Sequence, residues 1–170
     1  VTGMRVIDTV AELQVLADRE RAVGAKIALV PTMGALHAGH LSLVDEASKR
    51  ADRVWVSIFV NPTQFGEGED FDAYPREMDA DLSMLESLGV EAVFAPGMSE
   101  MYGDDGEVTV LPGRRAKGLC GGDRPGHFIG VLTVVAKLFG AVRPDVAVFG
   151  RKDAQQCLVI AQMVEDLKIA

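Results

Sequence analysis

Apolar positions along the chain recur with two periods, and the alternation between them outlines a fold. Val10, Leu13, Leu16 and Ala17 fall three and four residues apart, the spacing of one helix face. Thr9, three residues before Glu12, has the pattern of a capping box, and Gly24 is placed to stop the helix. The expected helix runs from Thr9 to Val23. Ile27 to Val30 is a continuous apolar run ended by Pro31, and Leu41, Val44 and Ala47 share one face of an amphipathic stretch from Gly39 to Ala51. Strand, loop and helix are expected in that order.

The unit repeats. Val54 to Val60 reads as strand, Glu77 to Leu88 as helix and Val90 to Phe94 as strand, followed by helix Val131 to Val142, strand Val146 to Phe149 and helix Ala154 to Leu167. Such alternation predicts parallel strands joined by right-handed crossovers. The strands are apolar without clean alternation, as required when helices cover both faces of a sheet. The expected fold class is therefore α/β, a doubly wound parallel sheet. Two connections are long for such a sheet, Asn61 to Arg76 and Ala95 to Phe128, the latter with room for a short strand at Val108 to Leu111. Long loops in compact domains are often functional.

Composition narrows the class. A chain of 170 residues fits one domain and can bury roughly 70% of its unfolded surface. Hydrophobic residues at 48% and charged residues at 25% are ordinary for a globular protein. The net charge of -8 is concentrated between Phe65 and Leu88, where eight acidic residues face Arg76 alone. An acidic chain without a basic stripe is a poor binder of nucleic acid, because phosphate neutralisation supplies most of that affinity. From Gly113 to His127 the polarity reverses, with Arg114, Arg115, Lys117 and Arg124 against Asp123, so a local anion site is retained. Cys120 and Cys157 form neither a disulfide framework nor a zinc knuckle and read as bystanders in a reducing cytoplasm. No apolar run approaches the ~18 residues of a membrane span, and Val1 to Val10 has no secretory h-region.

The segment Pro31-Thr-Met-Gly-Ala-Leu-His-Ala-Gly-His40 runs from a strand through a glycine-containing turn into a helix, and it holds two of the three histidines. A helix N-terminus offers free N–H groups and a positive dipole end to a phosphate, and a phosphate would in turn make His37 and His40 acceptable as imidazolium donors. The competing reading is two histidines satisfied by loop backbone; a zinc site lacks a third ligand at recognisable spacing. Asn61 and Gln64 follow a strand's C-terminal end, where open α/β sheets bind ligands, although a turn after Asn-Pro also explains them. Gly150, Lys152 and Asp153 occupy the same end of a later strand, which parallel pairing brings to the edge that carries His40. Lys152 suits a phosphate group, and Asp153 can cap the next helix, bind ribose hydroxyls or do both. Arg124 and His127 flank a Pro-Gly turn and read either as an anion clamp or as structural residues, and Glu67 to Asp72 reads as solvated surface.

The segment from Pro31 to His40 resembles the His-x-Gly-His signature of the nucleotidyltransferase superfamily, and its longer string resembles the pantothenate synthetase family. Phe59-Val-Asn-Pro-Thr-Gln-Phe65, Arg124-Pro-Gly-His-Phe128 with Gly130-Val-Leu-Thr-Val-Val135, and Phe149-Gly-Arg-Lys-Asp-Ala-Gln-Gln156 match the same family in order. The resemblance implies a Rossmann-like nucleotidyltransferase fold. It implies ATP contacts from Met33, Gly34, Ala35, Leu36, His37, Ala38, Gly39 and His40 and from Gly150, Arg151, Lys152 and Asp153. Gln64 and Gln156 would hold pantoate, Gln64 would also face β-alanine, and Gln155 is the weaker candidate because adjacent helical residues diverge. Ala38, Arg151 and Ala154 depart from the family pattern without removing a proposed ligand. The Met-Ser-Ser-Arg-type segment that closes over ATP in the family is not found, so residues 1–170 are expected to be a nucleotide- and pantoate-binding domain with little activity by itself.

The implied reaction, a step toward coenzyme A, joins pantoate to β-alanine through a pantoyl-adenylate at the expense of ATP and Mg²⁺. His37, His40 and Lys152 would stabilise the charge that moves onto the leaving pyrophosphate. The resemblance also implies a cytoplasmic homodimer. A nucleotidyltransferase acting on a phosphate and a non-catalytic nucleotide-binding module are the alternatives.

Overall fold

In the computed structural model, which describes residues 3–118, 122–124 and 126–169, helix α1 (Val10–Ala22) forms where the apolar stripe places it and buries Leu13, Leu16 and Ala17. Thr9 is its N-cap and accepts the Glu12 N–H at 3.3 Å. Only half of the expected capping box is made, because the Glu12 carboxylate pairs with Arg5 at 3.0 Å. Gly24, at φ +78°, turns the chain into strand β2 (Ile27–Thr32).

β2 runs two residues past its expected end. Pro31 pairs with Ser57 and Thr32 with Ile58 of strand β3 (Arg53–Ile58), so the proline sits inside a central strand. The reason is directional. Ile27 and Leu29 exchange their hydrogen bonds with the opposite neighbour, through Asp145 and Val148, and Pro31 shares their parity. Its missing N–H falls on that side, beyond strand β5 (Val146–Ala147), where no ladder partner is needed.

Helix α2 (Ala38–Ser48) connects β2 to β3, and helix α3 (Met78–Ser87) connects β3 to strand β4 (Ala92–Phe94). After the short helix α4 (Met98–Tyr102) come the long helix α5 (His127–Val142), β5 and helix α6 (Ala154–Asp166). A strand that the hydrophobic pattern does not single out, β1 (Arg5–Ile7), pairs with β4 and closes one edge. All pairings are parallel in the order β1-β4-β3-β2-β5, the doubly wound arrangement. Strands β3, β4 and β5 are shorter than the apolar runs, and α5 begins four residues earlier than its apolar stripe, at His127. Val108 to Leu111 forms no strand: the Val110 N–H is taken by the Thr133 hydroxyl of α5 at 2.9 Å.

Alternate residues of the central strands divide the core. Ile27, Leu29 and Trp55 pack with α1, α5 and α6, while Ala28, Val30, Val54 and Val56 pack with α2 and α3. Among the described residues, no helix is long and apolar enough to cross a membrane. The turn after β3 is pressed onto α5 so closely that only glycine fits between them. A Cβ on Gly130 would lie 2.4 Å from the Thr63 carbonyl oxygen and 2.6 Å from the Gln64 nitrogen, both backbone atoms.

Gly130→Ala is expected to destabilise the chain by about 1–3 kcal/mol, the usual cost of overpacking against groups that cannot swing away. Urea unfolding of the two proteins measures this, and equal stability would contradict the packing.

Candidate active site

The approach to α2 is built from strained backbone held by a buried carboxylate. Gly34 and Ala35 both have positive φ, +81° and +51°, which costs free energy at the alanine. Asp81 of α3, 1% exposed, compensates by accepting the Ala35 and Leu36 N–H groups at 2.8 Å, one on each oxygen. Gly34 cannot carry a side chain here, since a Cβ would meet Asp81 Oδ2 at 3.0 Å and Ile58 at 3.1 Å. Thr32 ties the start of the loop to β3 by donating to the Ser57 carbonyl at 2.8 Å while accepting the Gly34 N–H.

At the helix start, His37 occupies the N-cap position and its Nδ1 accepts the Gly39 N–H at 3.1 Å. His40 Nδ1 in turn accepts the His37 N–H at 3.3 Å, and the two rings lie tilted at 44° with centroids 4.1 Å apart. Gly39 leaves room for this ring position, because a Cβ there would lie 2.8 Å from the His37 ring and push it aside. The N–H groups of His37 and Gly39 are thus satisfied by imidazole, the His40 N–H completes a capping box on the His37 side chain, and that of Ala38 is left for a ligand. The arrangement corrects the imidazolium expectation. An Nδ1 that accepts a backbone N–H carries no proton, so each neutral ring presents Nε2–H as its donor. Burial, and then the neighbouring His37 ring, lower the His40 pKa below its ordinary 6.5, with Asp81 opposing.

Gln64 ends a 3-10 turn, Pro62–Gln64, that follows β3. Asn61, 1% exposed, organises this turn: its Oδ1 accepts from the Thr63 N–H, the Thr63 hydroxyl and the Tyr102 hydroxyl, the last at 2.6 Å. Its Nδ2 donates to Gln64 Oε1 and to the Gly130 carbonyl, each at 3.1 Å. The Gln64 Nε2 reaches the Met33 sulfur at 3.2 Å, which places Gln64 beside the loop that leads to His37 and His40. A cavity of about 250 Å³ adjoins this corner, lined by Met33, Gly34, Phe59, Val60, Phe71 and Asp81 among others.

β5 pairs with β2 through Ala28↔Val146 and Leu29↔Ala147, so the turn that follows it emerges at the same sheet edge. Gly150 there abuts α2, a Cβ on it falling 4.0 Å from Leu43. Arg151, Lys152 and Asp153 form an exposed 3-10 turn that leads into α6. Asp153 stands at the N-cap of α6 but makes no side-chain cap bond, so capping does not account for it. Gln156 is half-buried on the first turn of α6. Gln155 has a structural task, donating to the Arg115 and Gly118 carbonyls at 3.2 and 3.1 Å. The Cys157 thiol donates to the Gly150 carbonyl at 3.4 Å; Cys120 and Pro125 lie outside the described residues.

Arg124 and His127 are brought together, but the anion on Arg124 is the chain's own. Glu69 takes Arg124 Nη2 at 2.8 Å and lies 2.6 Å from its Nε. His127, 9% exposed, donates from Nδ1 to the Gln64 carbonyl at 2.8 Å. Glu69 stays exposed, as expected of Glu67 to Asp72, but is paired, and Asp81, farther along the acidic segment, is buried. The signal for Asp81 lies in its helical spacing, since it falls four residues before the fully buried Leu85. Nothing comparable marks Glu69 or Tyr102, whose partners are distant in sequence. Among the described residues, no three His, Cys, Asp or Glu side chains converge as a metal site.

A family model described as pantoate-beta-alanine ligase matches residues 5–170. The pantothenate synthetase of Geotalea daltonii is 54% identical over 166 residues, covering 98% of this chain and 59% of the relative. That of Salinibacter ruber is 55% identical over 174 residues, covering 96% and 58%. Among solved structures, pantothenate synthetase from Thermus thermophilus matches with a TM-score of 0.92 at 47% identity, over 98% of this chain and 59% of that one. Pantoate-beta-alanine ligase from Francisella tularensis, solved in complex with beta-gamma ATP and β-alanine, matches with a TM-score of 0.92 at 40% identity, over 98% and 64%. The chain spans about three-fifths of the length of the curated relatives it matches.

Asp81→Asn leaves one oxygen for two N–H groups and is expected to destabilise the chain by about 1–3 kcal/mol. Amide exchange should quicken at Ala35 or Leu36, and unchanged protection at both would refute the role. His40 is expected to titrate below 6.5 when its ring signals are followed by NMR. The unfolded chain then binds more protons between the two pKa values, so this group's contribution to stability is complete above about 6.5 and is lost as pH falls through the lowered value. A His40 titration at or above 6.5 would contradict the assigned environment.

Proposed function

The chain belongs to the pantoate-beta-alanine ligase family, and from that premise we propose that its sheet edge binds ATP and pantoate for an adenylation that leads to pantothenate. The observation that supports this most is the convergence of three segments: the His37–His40 helix start, the Gln64 turn touching Met33, and the Gly150–Asp153 turn that parallel pairing brings alongside. The pantoate carboxylate attacks the α-phosphorus of ATP and pyrophosphate leaves. The β-alanine amine then attacks the acyl carbon of the adenylate, giving pantothenate and AMP.

Each residue has a task suited to its observed state. The Nε2–H groups of His37 and His40, with the Ala38 N–H at the start of α2, donate to phosphate oxygens, and Lys152 adds a compact positive charge. Neutral imidazoles suffice for this, because hydrogen bonding to phosphate needs a donor and not a net charge. Met33 to Leu36 and Ala38 to Gly39 supply the backbone against which the nucleotide lies, and Gly150 to Asp153 close its other side. Gln64 and Gln156 hold pantoate by donating and accepting at once, and Gln64 also faces β-alanine. Mg²⁺ enters with ATP, chelated by its phosphates.

The reading carries with it a cytoplasmic location and a homodimer. Support for a second copy comes from Val108 and Leu111, which are 84% and 73% exposed on the loop beside a groove of about 370 Å³ lined by Val110, Leu132, Val159, Met163 and Leu167.

Gln64→Ala and Gln156→Ala are each expected to weaken pantoate binding by about 1–3 kcal/mol while ATP binding is nearly preserved, the cost of leaving a buried partner unsatisfied. Calorimetric titration of both ligands checks this; equal losses for ATP and pantoate would contradict the division of substrates. Pantoate-dependent exchange between pyrophosphate and ATP in the complete gene product tests the reaction itself, and a dependence on a phosphate acceptor instead of pantoate would overturn it.

A further inference from the structure

Three side chains close a ring against the backbone of the Gln64 turn. Glu69 accepts the Gly66 N–H at 2.8 Å and holds Arg124 through two close contacts. Arg124 Nη1 lies 3.4 Å from His127 Nε2, and His127 Nδ1 donates to the Gln64 carbonyl at 2.8 Å. The donor assignments follow from the partners: a carbonyl oxygen only accepts, so His127 Nδ1 carries the proton, and Nε2 is left to accept from the guanidinium. Both ends of the ring thus grip the same short stretch of backbone, Gln64 from one side and Gly66 from the other.

That stretch needs such a grip. On its α5 side it rests on Gly130, and on its other side begins a loop packed mainly on itself, with Phe65 edge-on to Phe71 and Tyr74. Arg76 covers Phe71 and donates to the Phe71, Asp72 and Tyr74 carbonyls. The loop is fixed within itself by these contacts, and the Glu69–Arg124 pair ties it to the segment just before α5. Hydrogen bonds from Arg124 and Gly66 hold the Glu69 carboxyl down to a pKa of about 2, so the tie stays ionised throughout the neutral range.

We propose that Glu69 is a positioning residue for Gln64: by holding Arg124, and through it His127, it sets the backbone of the turn that presents the Gln64 carboxamide to a hydroxy-acid substrate. This inference rests on the reading that Gln64 binds pantoate. It gives Arg124 an internal task in place of a clamp on substrate, because a carboxylate of the chain already occupies the guanidinium. Glu69 touches no substrate in this arrangement and acts entirely through its partners.

The test compares wild type, Glu69→Gln, Arg124→Gln and the double variant of the 170-residue chain, titrated with pantoate and with ATP, alongside amide exchange at Phe65 and Gly66. Glu69→Gln is expected to weaken pantoate binding by about two- to fivefold, the upper range for a partly exposed ion pair, and to leave ATP binding unchanged. The double variant should bind pantoate no more weakly than Arg124→Gln, and exchange at Phe65 should quicken in all three variants. Pantoate binding and exchange both unchanged in Glu69→Gln would overturn the proposal. So would tighter pantoate binding in Glu69→Gln with binding abolished in Arg124→Gln, which would make Arg124 the substrate's clamp and Glu69 its competitor. If wild type binds no pantoate, the functional reading fails instead, and the Phe65 exchange comparison alone still decides whether Glu69 holds the turn.

Discussion

Parallel pairing of every strand is the constraint on which the rest depends, because it sends all the C-terminal ends to one edge and all the returning helices to the faces. β2 lies inside the sheet with β3 on one side and β5 on the other. The chain leaves β2 into α2 on one face and β5 into α6 on the other, which opens a crevice between two helix starts. His37, His40 and the Gly150–Asp153 turn owe their common edge to that geometry, although more than a hundred residues separate them in sequence. Even the proline inside β2 is tolerated only because β5 ends before reaching it.

Within the crevice, buried polar groups do the aligning. Asp81 takes two N–H groups of a loop with unfavourable φ values, and Asn61 joins Thr63, Tyr102, Gln64 and Gly130 through a single carboxamide. Each lost bond of this kind costs about 1–3 kcal/mol when it strands a partner, comparable to the strain being held. The histidine rings follow the same economy. Their Nδ1 atoms satisfy helix-start N–H groups, and that choice leaves Nε2–H as the outward donor on both rings. Lowering the His40 pKa by burial supports the same neutral form.

Charge is organised locally in a way that the total conceals. Of the acidic residues crowded between Phe65 and Leu88, Asp81 is buried against backbone and Glu69 is paired with Arg124, and neither belongs to a simple solvated face. Their placement ties loop 33–36 to α3 and loop 64–76 to the segment that leads into α5.

By itself the sequence determined the α/β class, the order of strands and helices from α1 onward apart from the five-residue α4, and the segments that meet at the sheet edge, because periodicity and capping are local and short-range sterics impose them. The histidine pair, Gln64, and the Gly150–Asp153 turn with Gln156 were legible for the same reason, each standing where a strand ends or a helix begins. β1 was not legible, since a three-residue edge strand exposed at Val6 has no pattern of its own and exists only through β4. Tertiary structure alone decided where β2 stops, since Pro31 is allowed or forbidden by what lies beside it. It also decided the burial of Asp81, the tautomers of the histidines, the capture of Arg124 by Glu69 and the need for glycine at position 130. Each of these depends on a partner brought close through space, and distance in space is the quantity that a linear pattern of apolar and polar residues does not carry.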